Sequence, residues 1–348
     1  MLFHFYYLLE VGWIGVQLFF VLSGFLITSI LLEDKKEASL SFYLKRFYWR
    51  RSLRVFPLYY LYLFLVLGVF VIAGYPRDFL STSPYLFTYT YNYFPLFNEL
   101  HFDTLFTHFW SLSVEEQFYF IWPFIIFFFN RRILKFVIIG IVLLSPVLRL
   151  LAGIIMEGEF EASQIGEIIY RLTPMQLDGF AFGAAIPVFA LDEREWKVKP
   201  LMIGCFLLFI VAGIVNMLLF GEVESVSWTS LGFPIGNMEL YSHVWSYTLI
   251  NLLSLLLILY AIKGNSSDWL IRLFNSRIMV EIGKVSYGLY VYHWVLFALY
   301  RKYIGKVIDN RALSFVVFLV ICYLVSYFSY RFFESKFISL KNRKFTKS

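Results

Sequence analysis

The run Leu201–Gly221, LMIGCFLLFIVAGIVNMLLFG, contains no charged residue over a length that can cross a bilayer as one helix. About 20 helical residues span the ~30 Å hydrocarbon core. Similar runs recur along the 348 residues, of which 60% are hydrophobic and 16% are charged. A soluble domain carries about a quarter charged residues. The sequence therefore predicts an all-α fold, a polytopic bundle of transmembrane helices in a lipid bilayer.

Nine segments of the chain are apolar and long enough to be predicted as spans. They are Val11–Leu32, Leu53–Gly74, Trp110–Phe129, Leu134–Gly153, Pro174–Leu191, Leu201–Gly221, Val244–Ile262, Val285–Ile304 and Ala312–Phe333. Met1–Glu10 is also apolar, but about ten helical residues rise only ~15 Å. We therefore expect about ten helices, with the first one truncated. Ser83–Phe97 is aromatic and interrupted by prolines, and we predict an interfacial or re-entrant segment on the outer side.

Basic residues are concentrated in alternate connections between the predicted spans. These residues are Lys35, Lys36, Lys45, Arg46, Arg50, Arg51, Arg54, Arg131, Arg132, Lys135, Arg194, Lys197, Lys199, Lys263, Arg272, Arg277, Lys284, Arg331, Lys336, Lys341, Arg343, Lys344 and Lys347. Such positive charge marks the cytoplasmic side, so we expect a multi-pass protein with a cytoplasmic C-terminus. In this interpretation, residues 1–340 form one transmembrane domain and 341–348 form a basic tail. In a membrane protein the placement of positive charge matters more than the total of +6, and no nucleic-acid partner is expected.

Sequence signals for metals, nucleotides and serine nucleophiles are weak or missing. Cys205 and Cys322 lie in separate apolar runs, which predicts neither a disulfide nor a cysteine metal site. The sequence has no zinc motif, Walker loop or dinucleotide fingerprint. Ser23 has no base nearby in the sequence, so a serine nucleophile is weakly supported. We expect no metal and no permanently bound cofactor.

His108, Ser111 and Glu115 form one polar stripe, at positions i, i+3 and i+7 of a predicted helix. A charged group within a membrane is costly and usually functional. A stripe of imidazole, hydroxyl and carboxylate can orient a base or bind a polar substrate; the alternative is a set of hydrated residues at a helix end. We favour function for Glu115, which lies a turn or more inside the span, and leave both interpretations open for His108.

Other polar residues also lie in predicted spans. Asp178 is followed by Gly179 and Gly183, whose spacing allows a close helix approach. A structural role and a site role are equally supported for this aspartate. We interpret His293 as a helix-packing hydrogen bonder. Arg149 falls near the outer interface, where a snorkelling side chain explains it.

Arg50, Arg51 and Arg54 open a predicted span from the cytoplasmic side, at spacings that let guanidinium groups converge. Converging arginines bind phosphates bidentately, as a nucleotide-bearing donor requires. Ordinary membrane anchoring is the alternative. We favour function for Arg51 and Arg54, because they run into the apolar segment. His4, near the outer interface, can accept a hydroxyl proton near neutral pH, although a helix-packing role is equally supported by this residue alone.

Four motifs follow one another along the chain. They are Gly12–Ile27 (GWIGVQLFFVLSGFLI), Arg50–Pro57 (RRSLRVFP), Trp110–Tyr119 (WSLSVEEQFY) and Gly283–Trp294 (GKVSYGLYVYHW). Together they resemble the acyltransferase-3 family over nearly the whole chain. The resemblance implies a ten-helix enzyme of the bacterial inner membrane. Such an enzyme moves an acyl group, usually acetyl, from cytoplasmic acyl-CoA to cell-surface carbohydrate such as O-antigen, exopolysaccharide or peptidoglycan.

The resemblance also implies roles for single residues. His4 matches the essential histidine of the family, Arg51 and Arg54 match an arginine pair linked to the donor's phosphates, and Glu115 matches the glutamate of the long motif. The family's first-helix arginine would fall before Met1. A start further upstream and an inactive remnant are therefore both open, as is a transporter or flippase that uses the same intramembrane acids. Acyl-CoA is expected as a donor substrate, and a carbohydrate or glycolipid as the acceptor.

Overall fold

The computed structural model describes residues 10–36, 39–74, 76–97, 105–195, 197–221 and 226–341, which are almost entirely helical. The helices are α1 (Ile14–Asp34), α2 (Leu40–Ala73), α3 (Pro76–Phe87), α4 (Phe94–Phe97), α5 (Phe109–Phe128), α6 (Arg131–Met156), α7 (Ala162–Arg171), α8 (Thr173–Phe189), α9 (Val198–Phe220), α10 (Ser242–Lys263), α11 (Trp269–Phe274), α12 (Arg277–Tyr303), α13 (Arg311–Ser329) and α14 (Ser335–Ser339). Each of the nine predicted spans coincides with a long helix, which confirms the all-α prediction.

Six stretches of the described chain have the length and apolar composition needed to cross a membrane. They are Glu10–Asp34, Leu40–Ile72, Arg131–Met156, Val198–Phe220, Ser242–Lys263 and Arg311–Ser339. The remaining predicted spans are α5, α8 and α12, which carry Glu115, Asp178 and His293 respectively. The chain is thus a multi-pass membrane protein, and each of these three remaining helices carries a candidate site residue.

The segment predicted as interfacial or re-entrant, Ser83–Phe97, is divided into short pieces. It holds the end of α3, a 3₁₀ turn at Tyr91–Tyr93 and α4. None of these pieces is long enough to cross a bilayer. This agrees with the prediction that the segment does not span the membrane. Its placement on the outer side stays a prediction.

Polar residues in the connections cap the helices that follow them. The Ser39 hydroxyl accepts a hydrogen bond from the Phe42 amide at 3.4 Å, and Asn130 caps α6 in the same way. A cap satisfies an amide that has no partner within the helix. Because of the Ser39 cap, α2 begins at Leu40 rather than at the predicted Leu53, and its first turns carry the basic residues of the connection.

The described residues fold into two compact units, neither of which is continuous in sequence. The first unit holds α1 and α4 to α10, and the second holds α2 and α11 to α14. The boundary between them falls within α3, after Pro84. Glu115 and Asp178 therefore belong to the first unit, and the arginines of α2 and His293 belong to the second.

Helices α1 and α8 pack closely at the centre of the first unit. A Cβ atom on Gly24 would overlap the carbonyl of Phe180, and one on Gly183 would overlap the carbonyl of Val21. The rings of Phe20 and Phe180 stack beside this contact, with centroids 4.7 Å apart. Glycine is needed at both positions because only a hydrogen fits between the two backbones.

The second unit is built around α12 and α13, with α2 beside α12. Gly288 of α12 faces Ser326 of α13, where an added Cβ would lie 3.2 Å from the serine Cβ. The hydroxyl of Tyr287 donates to the carbonyl of Val55 on α2 at 2.8 Å. A π-helical turn at Tyr330–Glu334 separates α13 from α14. Such turns are frequent at functional sites.

Candidate active site

Glu115 lies in a buried hydroxyl cluster formed by α5 and α1. Its Oε1 accepts a hydrogen bond from Ser23 Oγ at 3.0 Å and another from the Tyr119 hydroxyl. The hydroxyls of Ser23 and Tyr119 also contact each other. Relative exposure of the three residues is between 2% and 5%. A carboxylate that already binds two hydroxyls is chemically suited to accept a proton from a third, or to orient it.

Helix periodicity and aromatic packing place this cluster. Tyr119 follows Glu115 by one helical turn, so both side chains share a face of α5. On the neighbouring face, Phe118 stacks on Trp122 and on Phe180 of α8, with ring centroids 5.0 and 4.2 Å away. These rings fill the space between α5 and α8 beside the hydroxyl cluster.

The other two members of the predicted stripe lie at the start of α5. The Ser111 hydroxyl donates to the carbonyl of His108 at 3.4 Å, and both residues are buried. The His108 ring lies 4.1 Å from the ring of Phe109. Among the described residues, Ser23 and Tyr119 each donate a hydroxyl to Glu115, and the predicted stripe contained neither of them.

Asp178 forms a buried ion pair with Arg149 of α6. The two guanidinium nitrogens lie 3.1 and 2.9 Å from the two carboxylate oxygens, and both side chains are 0% exposed. Arg149 also donates to the Met175 carbonyl at 2.7 Å and to Thr248 Oγ1 at 2.9 Å. This pairing favours the structural role for Asp178. The prediction of a snorkelling Arg149 is wrong, because α6, α8 and α10 enclose its guanidinium.

In the second unit, the arginines of α2 lie near the end of α14. Arg50 and Arg51 are half-buried and Arg54 is exposed. Burial lowers the pKa of Lys341, and the nearby Arg54 and Arg50 lower it further. Glu334, at the end of the π-helical turn, interacts electrostatically with Arg54. Cations from two separate elements therefore share one region, which suits a ligand with several phosphates.

Of the two candidate histidines outside α5, His293 lies in the described part of the chain and His4 does not. His293 is 5% exposed, and its Nδ1 lies 2.6 Å from the carbonyl of Tyr290 on the same helix, a local bond that fits a packing role. His4 lies outside the described residues. Among the residues that are described, no group of three His, Cys, Asp or Glu side chains could hold a metal ion.

Comparison with known proteins places this arrangement in a family. Residues 2–331 match the family model Acyl_transf_3, described as an acyltransferase domain. The chain belongs to the acyltransferase-3 family. The match covers most of both units described above, and it includes Glu115 and the arginines of α2. No solved structure matches the chain.

Acyltransferase-3 relatives of this chain carry the names of O-acetyltransferases. SACOL0978 of Staphylococcus aureus (strain COL), an O-acetyltransferase by name, is 28% identical over 94% of this chain and 52% of its own length. The peptidoglycan O-acetyltransferase OatA of Listeria monocytogenes is 26% identical over 93% of this chain and 51% of its own length. The O-acetyltransferase OatA of Staphylococcus aureus (strain NCTC 8325 / PS 47) is 25% identical over 93% and 52%. The chain thus spans about half the length of these relatives.

Sequence reasoning on this acyltransferase-3 chain missed three members of the candidate site. Tyr119 could have been found, because it lies one turn after Glu115 on the same helix face. Ser23 was considered only as a weakly supported nucleophile, and its contact with Glu115 could not be predicted. The two residues are 92 positions apart, and only the packing of α1 against α5 joins them. Lys341 was taken as part of a basic tail, and nothing in its local sequence indicates proximity to Arg50 and Arg54.

Proposed function

We propose that the chain transfers an acyl group, acetyl in the simplest case, from cytoplasmic acyl-CoA to a hydroxyl of a cell-surface or lipid-linked carbohydrate.

 The proposal is supported by membership of the acyltransferase-3 family and by the O-acetyltransferase names of its relatives. The observation that carries it is the buried carboxylate of Glu115, which lies within hydrogen-bond distance of two hydroxyls. The carboxylate already accepts hydrogen bonds from the hydroxyls of Ser23 and Tyr119, and it could accept one from the hydroxyl of an alcohol acceptor in the same way.

In the proposed reaction, the acceptor hydroxyl loses its proton to a base and its oxygen attacks the carbonyl carbon of the thioester. The new C–O bond forms, the C–S bond breaks, and the CoA thiolate takes up the proton to leave as a thiol. Glu115 is one candidate for the base on geometric grounds, and His4 is the other on grounds of the family resemblance. The reaction consumes no redox partner.

The donor's phosphates are assigned in this proposal to the cationic region of the second unit. Arg50, Arg51 and Arg54 contribute guanidinium groups, which bind phosphate through paired N–H donors. Lys341 adds an ammonium group near Arg50 and Arg54. Acyl-CoA is then a substrate that binds from the cytoplasmic side and is released as CoA in each turnover.

The proposal is tested by following acetyl transfer from radiolabelled acetyl-CoA in membranes that contain the full chain. Glu115→Gln keeps the size of the side chain but cannot accept a proton. Because general-base catalysis contributes about 10²–10⁴-fold to a rate, we expect kcat to fall at least about 100-fold while donor affinity is retained. His4→Ala is measured in parallel, since it removes the other candidate base.

Glu116→Gln is the matched control, because Glu116 is the next residue on α5 and is only half-buried. Its kcat is expected to stay close to that of the unchanged protein. Wild-type turnover in Glu115→Gln would reject the role of this carboxylate, and absence of any acetyl-CoA consumption by the unchanged protein would reject the proposed function itself.

A further inference from the structure

Several buried polar residues of the first unit have side-chain atoms with no hydrogen-bond partner among the described residues. Four of these residues, one on α1 and three on one face of α10, carry six such atoms. These atoms are both ring nitrogens of His243, the Tyr247 hydroxyl, both amide atoms of Asn251 and Oε1 of Gln17. Relative exposure of the four residues lies between 0% and 3%. Nearly all buried polar groups in folded proteins are hydrogen-bonded, so four such residues in one unit point to a polar occupant.

Three of these residues lie on one face of α10. His243, Tyr247 and Asn251 follow one another at intervals of four residues, which places them one above the next along the helix. His243 lies in the first turn of α10, and Asn251 lies two turns deeper. We call these three residues, together with Gln17, the α10 strip.

Contacts with neighbouring helices show that the α10 strip faces the interior of the unit. The ring of Trp13 lies 5.3 Å from that of Tyr247, and Gln17 follows Trp13 by one turn of α1. A Cβ atom added to Gly179 of α8 would lie 3.4 Å from the Asn251 side chain. His243 lies against α6, where a Cβ atom added to Gly153 would be 2.9 Å from its Nε2. The strip therefore runs along the side of α10 that packs against α6, α1 and α8.

The chemistry of the α10 strip suits an uncharged ligand rich in hydroxyls. Arg149 lies over the Tyr247 ring at 5.1 Å, but its charge is balanced by Asp178. The unpartnered atoms include both donors and acceptors, which a hydroxyl can serve equally well. Trp13 and Tyr170 add aromatic surface next to Tyr247. Amide, phenol and imidazole groups beside aromatic rings match a sugar better than a charged or aliphatic molecule.

We propose that the α10 strip binds hydroxyl groups of the carbohydrate acceptor. The inference rests on the proposed function, since it gives the acceptor a site in the same unit as Glu115. It goes beyond that function by naming the residues of the acceptor site. His243, Tyr247 and Asn251 lie outside the four sequence motifs, and Gln17 lies in the first one.

The test is calorimetric titration of the purified full chain in detergent with chitotriose, a soluble oligosaccharide, and separately with acetyl-CoA. Tyr247→Phe removes only the unpartnered hydroxyl and keeps the ring that packs on Trp13. Asn251→Leu replaces the unpartnered amide by an apolar group of similar size. We expect each change to weaken chitotriose binding about tenfold or more, and to leave acetyl-CoA affinity within about twofold.

Two buried residues with satisfied hydroxyls serve as matched controls. Ser254 of α10 donates to the carbonyl of Ile250 at 2.8 Å, and the Tyr300 hydroxyl donates to the carbonyl of Ser314 at 3.0 Å. Ser254→Ala and Tyr300→Phe should leave chitotriose binding unchanged. Tyr300→Phe should also lower the Tm, whereas Tyr247→Phe should not, because its hydroxyl has no partner in the free protein.

The outcomes separate this inference from the proposed function. If the unchanged protein does not bind chitotriose, or if Tyr247→Phe and Asn251→Leu bind it as well as the unchanged protein does, the α10 strip is not a sugar site. A higher Tm with unchanged chitotriose binding in both variants would show that the strip holds only water. If chitotriose binds through the strip but no acetyl transfer occurs, the proposed function fails and the sugar site stands.

Discussion

Arg149 and Asp178 neutralise each other inside the first unit, at a point where neither charge reaches solvent. Removing one partner leaves the other buried and uncompensated, which typically costs about 3–5 kcal/mol. We expect Asp178→Leu to lower the Tm of the detergent-solubilised protein strongly and to reduce its yield. The measurement is thermal unfolding followed by intrinsic fluorescence.

The double variant Arg149→Met with Asp178→Leu tests whether the pair is needed only for charge balance. Replacing both partners by apolar groups is often neutral, so the double variant should recover most of the lost Tm. Glu281→Gln, which breaks the exposed pair with Lys284, should leave the Tm unchanged. A double variant as unstable as Asp178→Leu would contradict a purely structural role.

Residue identity and residue contacts differ in how far they can be predicted. Glu115 and Asp178 are recognisable as unusual from the sequence alone, because a carboxylate within an apolar run is costly. Their partners are not recognisable, since Arg149 is 29 positions from Asp178 and Ser23 is 92 positions from Glu115. Each pairing depends on which faces of two helices meet, and helix periodicity within one span does not determine that.

At the scale of elements, the spans are predictable and their ends are less so. Apolar composition locates α6 and α9 to within a few residues, because lipid selects for it directly. The start of α2 was predicted at Leu53 and lies at Leu40, since basic residues are good helix formers and do not end a helix. The position of α14 beside α2 follows from tertiary packing and has no counterpart in the sequence pattern.

The cluster formed by α2 and α14 leads to a prediction about charge. Lys341 has a lowered pKa because it is partly buried and lies near Arg54 and Arg50. In the free protein this like-charge contact is unfavourable, whereas bound phosphates would compensate it. We expect Lys341→Met to raise the Tm of the free protein and to weaken acetyl-CoA binding several-fold, both measured in detergent at low salt.

The pH dependence of this effect has a defined sign. A lysine whose folded pKa lies below its unfolded value of 10.5 destabilises the folded state when protonated, and the cost vanishes as pH rises above 10.5. The Tm gain of Lys341→Met should therefore be present at pH 7 and shrink at high pH. Lys336→Met, on the exposed side of α14, is the control; equal effects from both variants would mean that Lys341 has no special place in donor binding.

At the scale of the whole molecule, composition predicts the membrane and the helix class, but it does not predict the division into two units. Both units are assembled from segments far apart in sequence, and no linker or change in composition marks their boundary. The continuous alternation of spans and basic connections instead indicated a single domain. The succession of spans along the sequence gives the topology of a membrane protein, but it does not show which helices pack against one another.

The alternation of charge makes one prediction about orientation that covers the whole chain. Glu159 lies in the acidic connection after α6, and Lys199 lies in the basic first turn of α9; both are exposed. The native Cys205 and Cys322 are buried and can be replaced by alanine to give a cysteine-free background. In that background, Glu159→Cys should react with a membrane-impermeant maleimide in intact cells. Lys199→Cys should react only after the membrane is opened, because positive connections stay in the cytoplasm. Labelling of Lys199→Cys in intact cells would invert the topology and place the α2 arginines on the side that cytoplasmic acyl-CoA does not reach.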